Sequence, residues 1–381
     1  MSDPASAGLN PSALAQVTAA LNRWIAAGRL AGAVVLIERH GVVGLFEALG
    51  QQDPARGIAM RKDSIFRIYS MTKPIVSVAL MRLAEQGRVL LRDPVAKYLP
   101  AFANVKVGID GAAPTRAPTV HDLLRHTAGL TYEFHEPSPV RQRYAEAKLY
   151  SRQRTNAQHV DLLASLPLMH EPGSVWDYSR ATDVLGRLLE VLADAPLGDH
   201  LKAAIFDPLG MADTGFGVPA AQHGRLAEPL ADPPDGVPQV PVFDARVPAA
   251  SQSGGGGLMS TAADYARFVR LLINGGELEG ARLVGRKTVE FMTADHLGAI
   301  PRANELLPPG HGFGLGFAVK TALGEHTEPG SIGSYGWSGA AGTAFFVDPA
   351  ESMFAIILTQ APGLLDDVRE LFRQGVYAAL D

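Results

Sequence analysis

Cysteine is absent from the 381-residue sequence. Disulfide bonds, thiolate nucleophiles, thiolate-bound zinc and iron–sulfur clusters are therefore excluded together. If the protein performs covalent catalysis, its nucleophile must be an oxygen or an amine.

Basic residues are not in excess, and long apolar segments are also missing. The 34 lysines and arginines face 39 acidic residues, for a formal net charge of −5, so neither nucleic acid nor an anionic membrane surface is an expected partner. The apolar segment 353–360 is far shorter than the roughly 20 residues that cross a bilayer. The first twenty residues have no basic start followed by an apolar core. We therefore predict no secretion signal and a cytoplasmic location.

Two common hydrolase signatures do not occur. Without GxSxG there is no nucleophile elbow to anchor a Ser-His-Asp triad, and without HExxH the eleven histidines give no zinc-protease motif. The glycine-rich segment 311–317 precedes no predicted helix, and its alternation predicts a strand instead of a nucleotide loop. We predict no metal and no cofactor, and expect the histidines, His126 included, to be surface residues or hydrogen-bonded structural residues.

The apolar pattern predicts a helix and a hairpin at both ends of the chain. The predicted elements are a helix from Asn10 to about Gly28, a hairpin that turns at His40 and Gly41, strands at 342–349 and 353–360, and a helix at 364–380. The economical arrangement is one antiparallel sheet built from both chain ends and flanked by the terminal helices.

The middle of the chain is predicted to be mostly helical. Helices are expected at 72–86, 181–193 and 262–274, the last opened by a capping box of Thr261 and Asp264. Residues 217–257 carry seven prolines and end in a glycine run, which predicts an ordered loop over the surface or a site. The length favours two domains. We expect an α+β sheet domain from 1–90 and 300–381, and a mostly helical domain from 91–299.

Ser70 and Lys73 stand three residues apart at a predicted helix start. Residues at that spacing share a helix face, so the hydroxyl and the amine can meet. A serine hydroxyl becomes a good nucleophile only when a neighbouring base takes its proton, and a lysine removed from water can serve as that base. By itself the pair is weak evidence, because the spacing also arises by chance.

Two further segments could carry chemistry. Tyr178 ends a turn just before a predicted helix, where it could act as acid or base or could be a packing tyrosine. Trp337, Ser338 and Gly339 precede the second-last predicted strand, and the glycine would allow a ligand close to the backbone or would form an ordinary turn at the sheet edge.

Together the three segments resemble the SxxK serine hydrolases, which comprise class C β-lactamases, penicillin-binding DD-peptidases and family VIII carboxylesterases. The motifs SMTK, YS and WSG occur in that family's order and approximate spacing. The resemblance covers most of the chain, since FRIYSMTKP, HDLLRHTAGL, EPGSVWDYS and GWSGAAGTAFFVDP also match it. It implies the α+β fold of the β-lactamases and transpeptidases.

Departures from the motifs distinguish the branches of this family. The second motif here is Tyr178-Ser179-Arg180 instead of YxN, and the third is Trp337-Ser338-Gly339 instead of KTG. Lys320 begins a KTG-like segment, but it lies too far before the last hairpin. Losing the KTG lysine removes a cation that would hold a substrate carboxylate, which favours a neutral ester. Tryptophan in the third motif is typical of family VIII carboxylesterases.

The resemblance implies that Ser70 is the nucleophile and that Lys73 and Tyr178 share the roles of base and acid. It also implies an oxyanion hole formed by the backbone N–H groups of Ser70 and Ala340, and a substrate pocket at residues 337–339. We therefore predict a carboxylesterase acting on short-chain, small-molecule esters through an acyl-serine, as a monomer or homodimer. The alternatives are a β-lactamase, a D-amino-acid peptidase or transesterase, and a catalytically silent binding or scaffold protein.

Overall fold

The computed structural model describes residues 4–231 and 242–381. Its helices are α1 Pro11–Ala26, α2 Thr72–Glu85, α3 Val120–Leu124, α4 Pro139–Glu146, α5 Asn156–Ala164, α6 Ala181–Ala193, α7 Leu197–Leu201, α8 Asp207–Leu209, α9 Ala262–Ile273, α10 Arg286–Met292 and α11 Leu365–Ala378. None of the helices in this part of the chain is both long and apolar enough to span a bilayer.

Strands from both ends of the chain form one antiparallel sheet. The strands are β1 Gly32–Arg39, β2 Val42–Asp53, β3 Ile58–Ala59, β4 Phe66–Arg67, β5 Met259–Ser260, β6 Glu277–Leu278, β7 Ala281–Arg282, β8 His311–Phe313, β9 Ala318–Lys320, β10 Tyr335–Ser338, β11 Ala344–Asp348 and β12 Met353–Thr359. Eight of them pair in the order β3-β2-β1-β12-β11-β10-β9-β8, and β4-β5 and β6-β7 are separate two-stranded pairs. The predicted antiparallel sheet and the α+β fold class are confirmed.

The sheet is buried on both faces, because successive strand residues point to opposite sides. On β1, Val34 and Leu36 pack into one core, whereas Ala33, Val35 and Ile37 pack into the other. The second core also holds the apolar faces of α1 and α11, and the first holds α2, α6 and α9. The central strands therefore form the middle layer between the terminal helices and the helical part of the chain.

The predicted ends of the chain are confirmed in detail. The Asn10 side chain accepts a hydrogen bond from the Ala13 N–H at 3.1 Å, as an N-cap of α1. The hairpin turns at His40 and Gly41, which have φ angles of 52° and 76°. β12 is buried along its whole length. The last helix, α11, lies within the predicted range.

Three local predictions need correction. Residues 311–317 are not one strand: β8 ends at Phe313, and Gly316, with a φ of 100°, turns the chain toward β9. The Thr261 hydroxyl caps α9, but the second half of the capping box is absent because the Asp264 carboxylate accepts from Asp213 and Thr214 instead. Within the predicted loop 217–257 a 3-10 helix occupies Ala220–Arg225, and residues 232–241 lie outside the described residues.

α2 is the helix that carries the predicted nucleophile and base. Every residue from Thr72 to Met81 is buried, as expected for a helix that is apolar on nearly all sides. The helix begins just after Ser70, as predicted. The division into two domains stays a prediction.

Candidate active site

Ser70 lies in a single 3-10 turn, Tyr69–Met71, that leads directly into α2. Tyr69 has a φ of 43°, a left-handed conformation that costs a non-glycine residue on the order of 1–3 kcal/mol and is common at functional sites. The Met71 N–H closes the turn by donating to the Ile68 carbonyl at 3.0 Å. The Ser70 side chain is half-buried and lines a large cavity, so a bound molecule can reach its hydroxyl.

Lys73 meets Ser70 one helical turn later, as the sequence predicts. Its side chain is only 1% exposed, and its Nζ lies 3.1 Å from the Ser70 Oγ. The same Nζ is 3.2 Å from the Tyr132 hydroxyl and 2.6 Å from the Gly255 carbonyl oxygen. These three contacts match the three donors of an ammonium group. A neutral amine would keep two donors and accept a hydrogen bond from one of the two hydroxyl groups.

Burial lowers the pKa of Lys73 to about 7, because the charged form loses its water. The nearby Asp183 carboxylate opposes this shift, and the Arg180 guanidinium adds to it. A substantial fraction of the Lys73 side chains is therefore uncharged at neutral pH.

Tyr178 lines the same cavity as Ser70 and lies against Lys73. Its ring centroid is 4.5 Å from the Lys73 Nζ, and its hydroxyl accepts a hydrogen bond from the Trp337 Nε1–H at 3.1 Å. Burial raises the pKa of Tyr178 well above its usual value. Hydrogen bonds from Ser70 and Trp337 and the charge of Arg369 offset part of this rise. The phenol is therefore protonated at neutral pH.

The second motif is held in place by a histidine in a structural role, the second of the two roles expected from the sequence. His126 is 1% exposed, so it is not a surface residue, and its Nε2 has no hydrogen-bond partner in the described part of the chain. Its Nδ1 accepts from the Ser179 N–H at 3.2 Å, and its ring lies 4.8 Å from that of Tyr178. Desolvation lowers the pKa of His126 well below its usual range. A neutral histidine thus packs behind Tyr178.

Arg180 occupies the position at which the YxN motif carries asparagine. Its guanidinium is paired with Glu133, lies 3.9 Å from Asp183, and stacks 5.2 Å above the Tyr132 ring. Asp183 also accepts from the Ser253 hydroxyl at 2.5 Å and the Gly255 N–H at 3.0 Å. Arg180 is therefore neutralised within an ionic network around Lys73.

The glycine run at the end of the long loop explains how that network forms. An added Cβ on Gly254 would lie 2.5 Å from the Thr182 carbonyl oxygen, and one on Gly255 would lie 2.8 Å from the Asp183 carboxylate. Only glycine permits this close approach to α6. The described end of the predicted loop therefore forms part of a site, as one of the two readings of its sequence anticipated.

The third motif brings a strand end against the Ser70 turn. An added Cβ on Gly339 would lie 2.4 Å from the Ile68 carbonyl oxygen and 2.3 Å from the Thr343 hydroxyl, so no other residue fits here without movement. The next residue, Ala340, lines the same cavity as Ser70. Neither the Ser70 N–H nor the Ala340 N–H has a hydrogen-bond acceptor within residues 4–231 and 242–381. Two residues that line this cavity thus have free backbone N–H groups within the described part of the chain.

The cavity has a volume of about 1240 Å³ and includes all three motifs. Much of its wall is aromatic, and Phe134 and Tyr150 are exposed hydrophobic residues on that wall. The aromatic lining residues are Tyr69, Tyr132, Phe134, Tyr150, Tyr178, Phe216, Phe243, Tyr335, Trp337, Phe345, Phe346 and Phe372. Lys320, the rejected KTG-like lysine, is not among the lining residues and donates to the Glu328 carbonyl oxygen at 3.0 Å.

Sequence reasoning missed Tyr132, Asp183 and Arg369 at this site. Tyr132 follows a segment that matches the family, but nothing in the sequence marks its hydroxyl as a partner of Lys73. Arg369 comes from α11 and reaches the Gly339 carbonyl oxygen at 2.8 Å. Among the described residues, no group of three or more His, Asp or Glu side chains is arranged to hold a metal ion.

Comparisons with known proteins agree with this architecture. The Beta-lactamase family matches residues 14–380. Esterase EstB from Burkholderia gladioli is 33% identical over 409 residues, which cover 99% of this chain and 98% of EstB. Protein Rv1367c from Mycobacterium tuberculosis (strain ATCC 25618 / H37Rv) is 34% identical over 360 residues, 88% of this chain and 86% of its own.

A solved structure gives the same result at the level of the fold. EstCE1, described as a hydrolase with promiscuous acyltransferase activity, superposes with a TM-score of 0.83 at 30% identity, covering 96% of this chain and 99% of its own. The chain therefore belongs to the Beta-lactamase family and, within it, to the family VIII carboxylesterases of the SxxK serine hydrolases.

Proposed function

We propose that the protein is a serine carboxylesterase that hydrolyses neutral esters through an acyl-serine on Ser70. The observation that carries this proposal is the 3.1 Å contact between Ser70 Oγ and the buried Nζ of Lys73, whose pKa of about 7 allows it to accept a proton at neutral pH. The names of EstB and EstCE1, an esterase and a hydrolase, support the same reaction class.

In the first half-reaction, the neutral Lys73 takes the proton of Ser70 as Oγ attacks the ester carbonyl carbon. The resulting oxyanion accepts hydrogen bonds from the free N–H groups of Ser70 and Ala340. When this intermediate collapses, the bond between its central carbon and the alcohol oxygen breaks, and that oxygen receives a proton from Tyr178. Lys73 returns its proton to Tyr178, and the alcohol departs. Water then attacks the acyl carbon while Lys73 takes one of its protons. The bond from the acyl carbon to Ser70 Oγ breaks, Lys73 returns the proton to Oγ, and the carboxylic acid leaves.

Assigning the base to Lys73 follows from the opposite pKa shifts of the two groups. Burial favours the neutral form of each group, which is the base form of a lysine and the acid form of a tyrosine. A buried amine poised near neutrality, in contact with Ser70, and a protonated phenol on the wall of the same cavity suit a base and an acid, respectively. The two groups titrate as a coupled pair, so a pH profile reports on both.

A neutral substrate fits the charges around the cavity. The third motif contributes an indole instead of an ammonium group, and Arg180 is neutralised by Glu133 and Asp183. The cavity exceeds the roughly 300–1,000 Å³ typical of sites for drug-sized ligands. Short acyl chains are the substrate class that the sequence predicts, and the volume leaves room for a larger alcohol group.

Acyl transfer to an alcohol is the second candidate activity. It differs from hydrolysis only in the nucleophile that attacks the acyl-serine, and the relative EstCE1 is described as having promiscuous acyltransferase activity. β-Lactam or D-amino-acid peptide hydrolysis is a weaker candidate, since the KTG lysine is missing. A silent binding protein is weaker still, because Ser70, Lys73 and Tyr178 remain in contact.

Turnover of a chromogenic short-chain ester is expected to exceed that of a chromogenic cephalosporin, by kcat/KM, at least 100-fold. The reason is that the cephalosporin carries a carboxylate, for which the third motif offers no lysine. The two substrates are compared on one enzyme preparation. Faster cephalosporin cleavage would promote the β-lactamase alternative, and no turnover of either would favour a silent binding protein.

Replacing Trp337 with phenylalanine is expected to lower kcat for ester hydrolysis about 10-fold, the equivalent of one hydrogen bond. The phenol of Tyr178 would lose the donor that lies 3.1 Å from its oxygen, and that donor lowers the pKa of Tyr178. Trp24→Phe on α1, outside the cavity, is the matched control. Equal kcat values for the wild type and Trp337→Phe would show that this hydrogen bond is not used.

A further inference from the structure

Arg369 is a mostly buried arginine on α11 that contacts the third motif. Its side chain is 20% exposed, and its Nη2 donates to the Gly339 carbonyl oxygen at 2.8 Å. Its carboxylate partner, Asp366, is 96% exposed and lies 3.3 Å away, so that ion pair contributes little. The strongest described contact of this guanidinium is therefore with a backbone carbonyl of the third motif.

The Gly339 carbonyl belongs to the same peptide group as the Ala340 N–H. The described residues contain no cis peptide bond, and in a trans peptide the C=O and the N–H point in opposite directions within one plane. Fixing the direction of the carbonyl therefore fixes the direction of the N–H. The Ala340 N–H has no acceptor within the described residues, and the proposed mechanism gives it the oxyanion.

Other contacts hold the Gly339 carbonyl and the peptide group that precedes it. The Gly339 N–H donates to the Thr343 carbonyl oxygen at 2.8 Å, and the Gly342 N–H donates to the Gly339 oxygen at 3.0 Å. Against the Ser70 side, the Ile68 carbonyl leaves no room for a side chain on Gly339. Arg369 adds the one charged donor, and a cation on the carbonyl oxygen also polarises the amide and strengthens its N–H as a donor.

We propose that Arg369 is a positioning residue for the oxyanion hole: its guanidinium holds the Gly339 carbonyl so that the Ala340 N–H points at the developing oxyanion. This inference rests on the proposed function. It assigns a catalytic consequence to α11, an element that none of the three motifs includes. Arg369 acts through the peptide and not by touching the reacting atoms.

The test compares Arg369→Met with Arg39→Met in ester hydrolysis. Arg39 is a suitable control because it is 14% exposed, donates to the backbone carbonyls of Ala7 and Gly8, and pairs with Glu351 outside the cavity. Arg369→Met is expected to lower kcat about 10- to 100-fold with KM changed less than about threefold, since a full oxyanion donor is worth about 10²- to 10³-fold. Arg39→Met is expected to keep the wild-type kcat.

A second readout separates positioning from a general structural role. A phenylboronic acid forms a bond from Ser70 Oγ to boron as Lys73 takes the Ser70 proton, and the resulting tetrahedral anion places one oxygen in the oxyanion hole. Arg369→Met is expected to weaken this inhibitor about 10-fold or more while KM stays near wild type, because only the tetrahedral species uses the hole. If Arg369→Met does not fold, Arg369→Lys replaces it in the test. Lysine keeps the positive charge but lacks the planar guanidinium group, so this variant should show an intermediate loss of kcat and of boronate affinity.

Two results would overturn the proposal. One is an unchanged kcat and boronate affinity in a folded Arg369→Met protein. The other is a raised KM with an unchanged kcat, which would make Arg369 a substrate-binding cation. Failure of the proposed function would look different, because the wild-type protein would then lack ester turnover that depends on Ser70.

Discussion

Replacing Ser70 with alanine is expected to lower kcat/KM for ester hydrolysis by at least about 10⁴-fold, as removal of a catalytic nucleophile does in other serine hydrolases. The Ser70 hydroxyl lies 3.1 Å from the Lys73 Nζ, and the N–H groups of Ser70 and Ala340, which line the same cavity, have no acceptor among the described residues. Steady-state rates with a chromogenic ester measure the loss.

Ser77→Ala is the matched control for this experiment. Ser77 is a buried serine on the same helix, 1% exposed, and it does not line the cavity. This variant should keep most of the wild-type activity, while the circular dichroism spectrum of Ser70→Ala should match that of the wild type. More than a few per cent of wild-type turnover in Ser70→Ala would assign the reaction to another nucleophile.

Replacing Lys73 with methionine is expected to lower kcat/KM about 10³- to 10⁴-fold, the upper part of the range for a general base. Methionine nearly preserves the shape of the buried stem but has no amine to accept the Ser70 proton. It also leaves the Asp183 carboxylate without one of its neighbouring cations. Tyr132→Phe, which keeps the ring but removes one partner of the Lys73 Nζ, should lose far less activity.

The pH profile of the wild-type enzyme tests the same base. Lys73 must be uncharged to accept a proton, so kcat/KM should fall about 10-fold for each pH unit below the pKa of about 7 and level off above it. The carboxylate of Asp183 favours the ammonium form, so Asp183→Asn should move the acid limb to lower pH. His126 cannot cause the limb, because its pKa lies well below its usual range.

Tyr178→Phe decides whether the acid limb belongs to the lysine. With Lys73 as base, the variant should lose activity but keep a limb near neutral pH, moved only by the loss of coupling. If the acid limb of the kcat/KM profile disappears in Tyr178→Phe, the tyrosine and not the lysine is the base. A pH-independent kcat/KM in the wild type between pH 5 and 8 would contradict the assignment to either group.

Local sequence patterns predicted much of the fold because most of its signals lie within a few residues. The cap at Asn10, the turn at His40 and Gly41, and the apolar strand β12 are all short-range features. The prediction of one strand over residues 311–317 was wrong because the alternation of glycine and apolar residues does not reveal that Gly316 takes a positive φ. The division into domains lies beyond such patterns.

The sequence predicted the residues of the candidate site that belong to the three motifs, but not the other residues of the site. Ser70 and Lys73 are brought together by a single helical turn, which the spacing encodes. Tyr132, Asp183 and Arg369 reach the site from segments that are far apart in the chain, so their pairing depends on tertiary packing. The pairing of Arg180 with Glu133 also depends on tertiary packing. The sequence showed that Arg180 replaces the asparagine of the second motif, but it did not show this ion pair.

Active-site titration with a p-nitrophenyl phosphonate ester is the most direct measurement of the central claim, that Ser70 is the residue acylated by the substrate. The phosphonate should form one bond from phosphorus to Ser70 Oγ and release one p-nitrophenolate per protein molecule as esterase activity disappears. Peptide mass mapping should place the label on the peptide that contains Ser70, and Ser70→Ala should take up none. A label on another residue, or complete inactivation with Ser70 unmodified, would contradict the proposed mechanism.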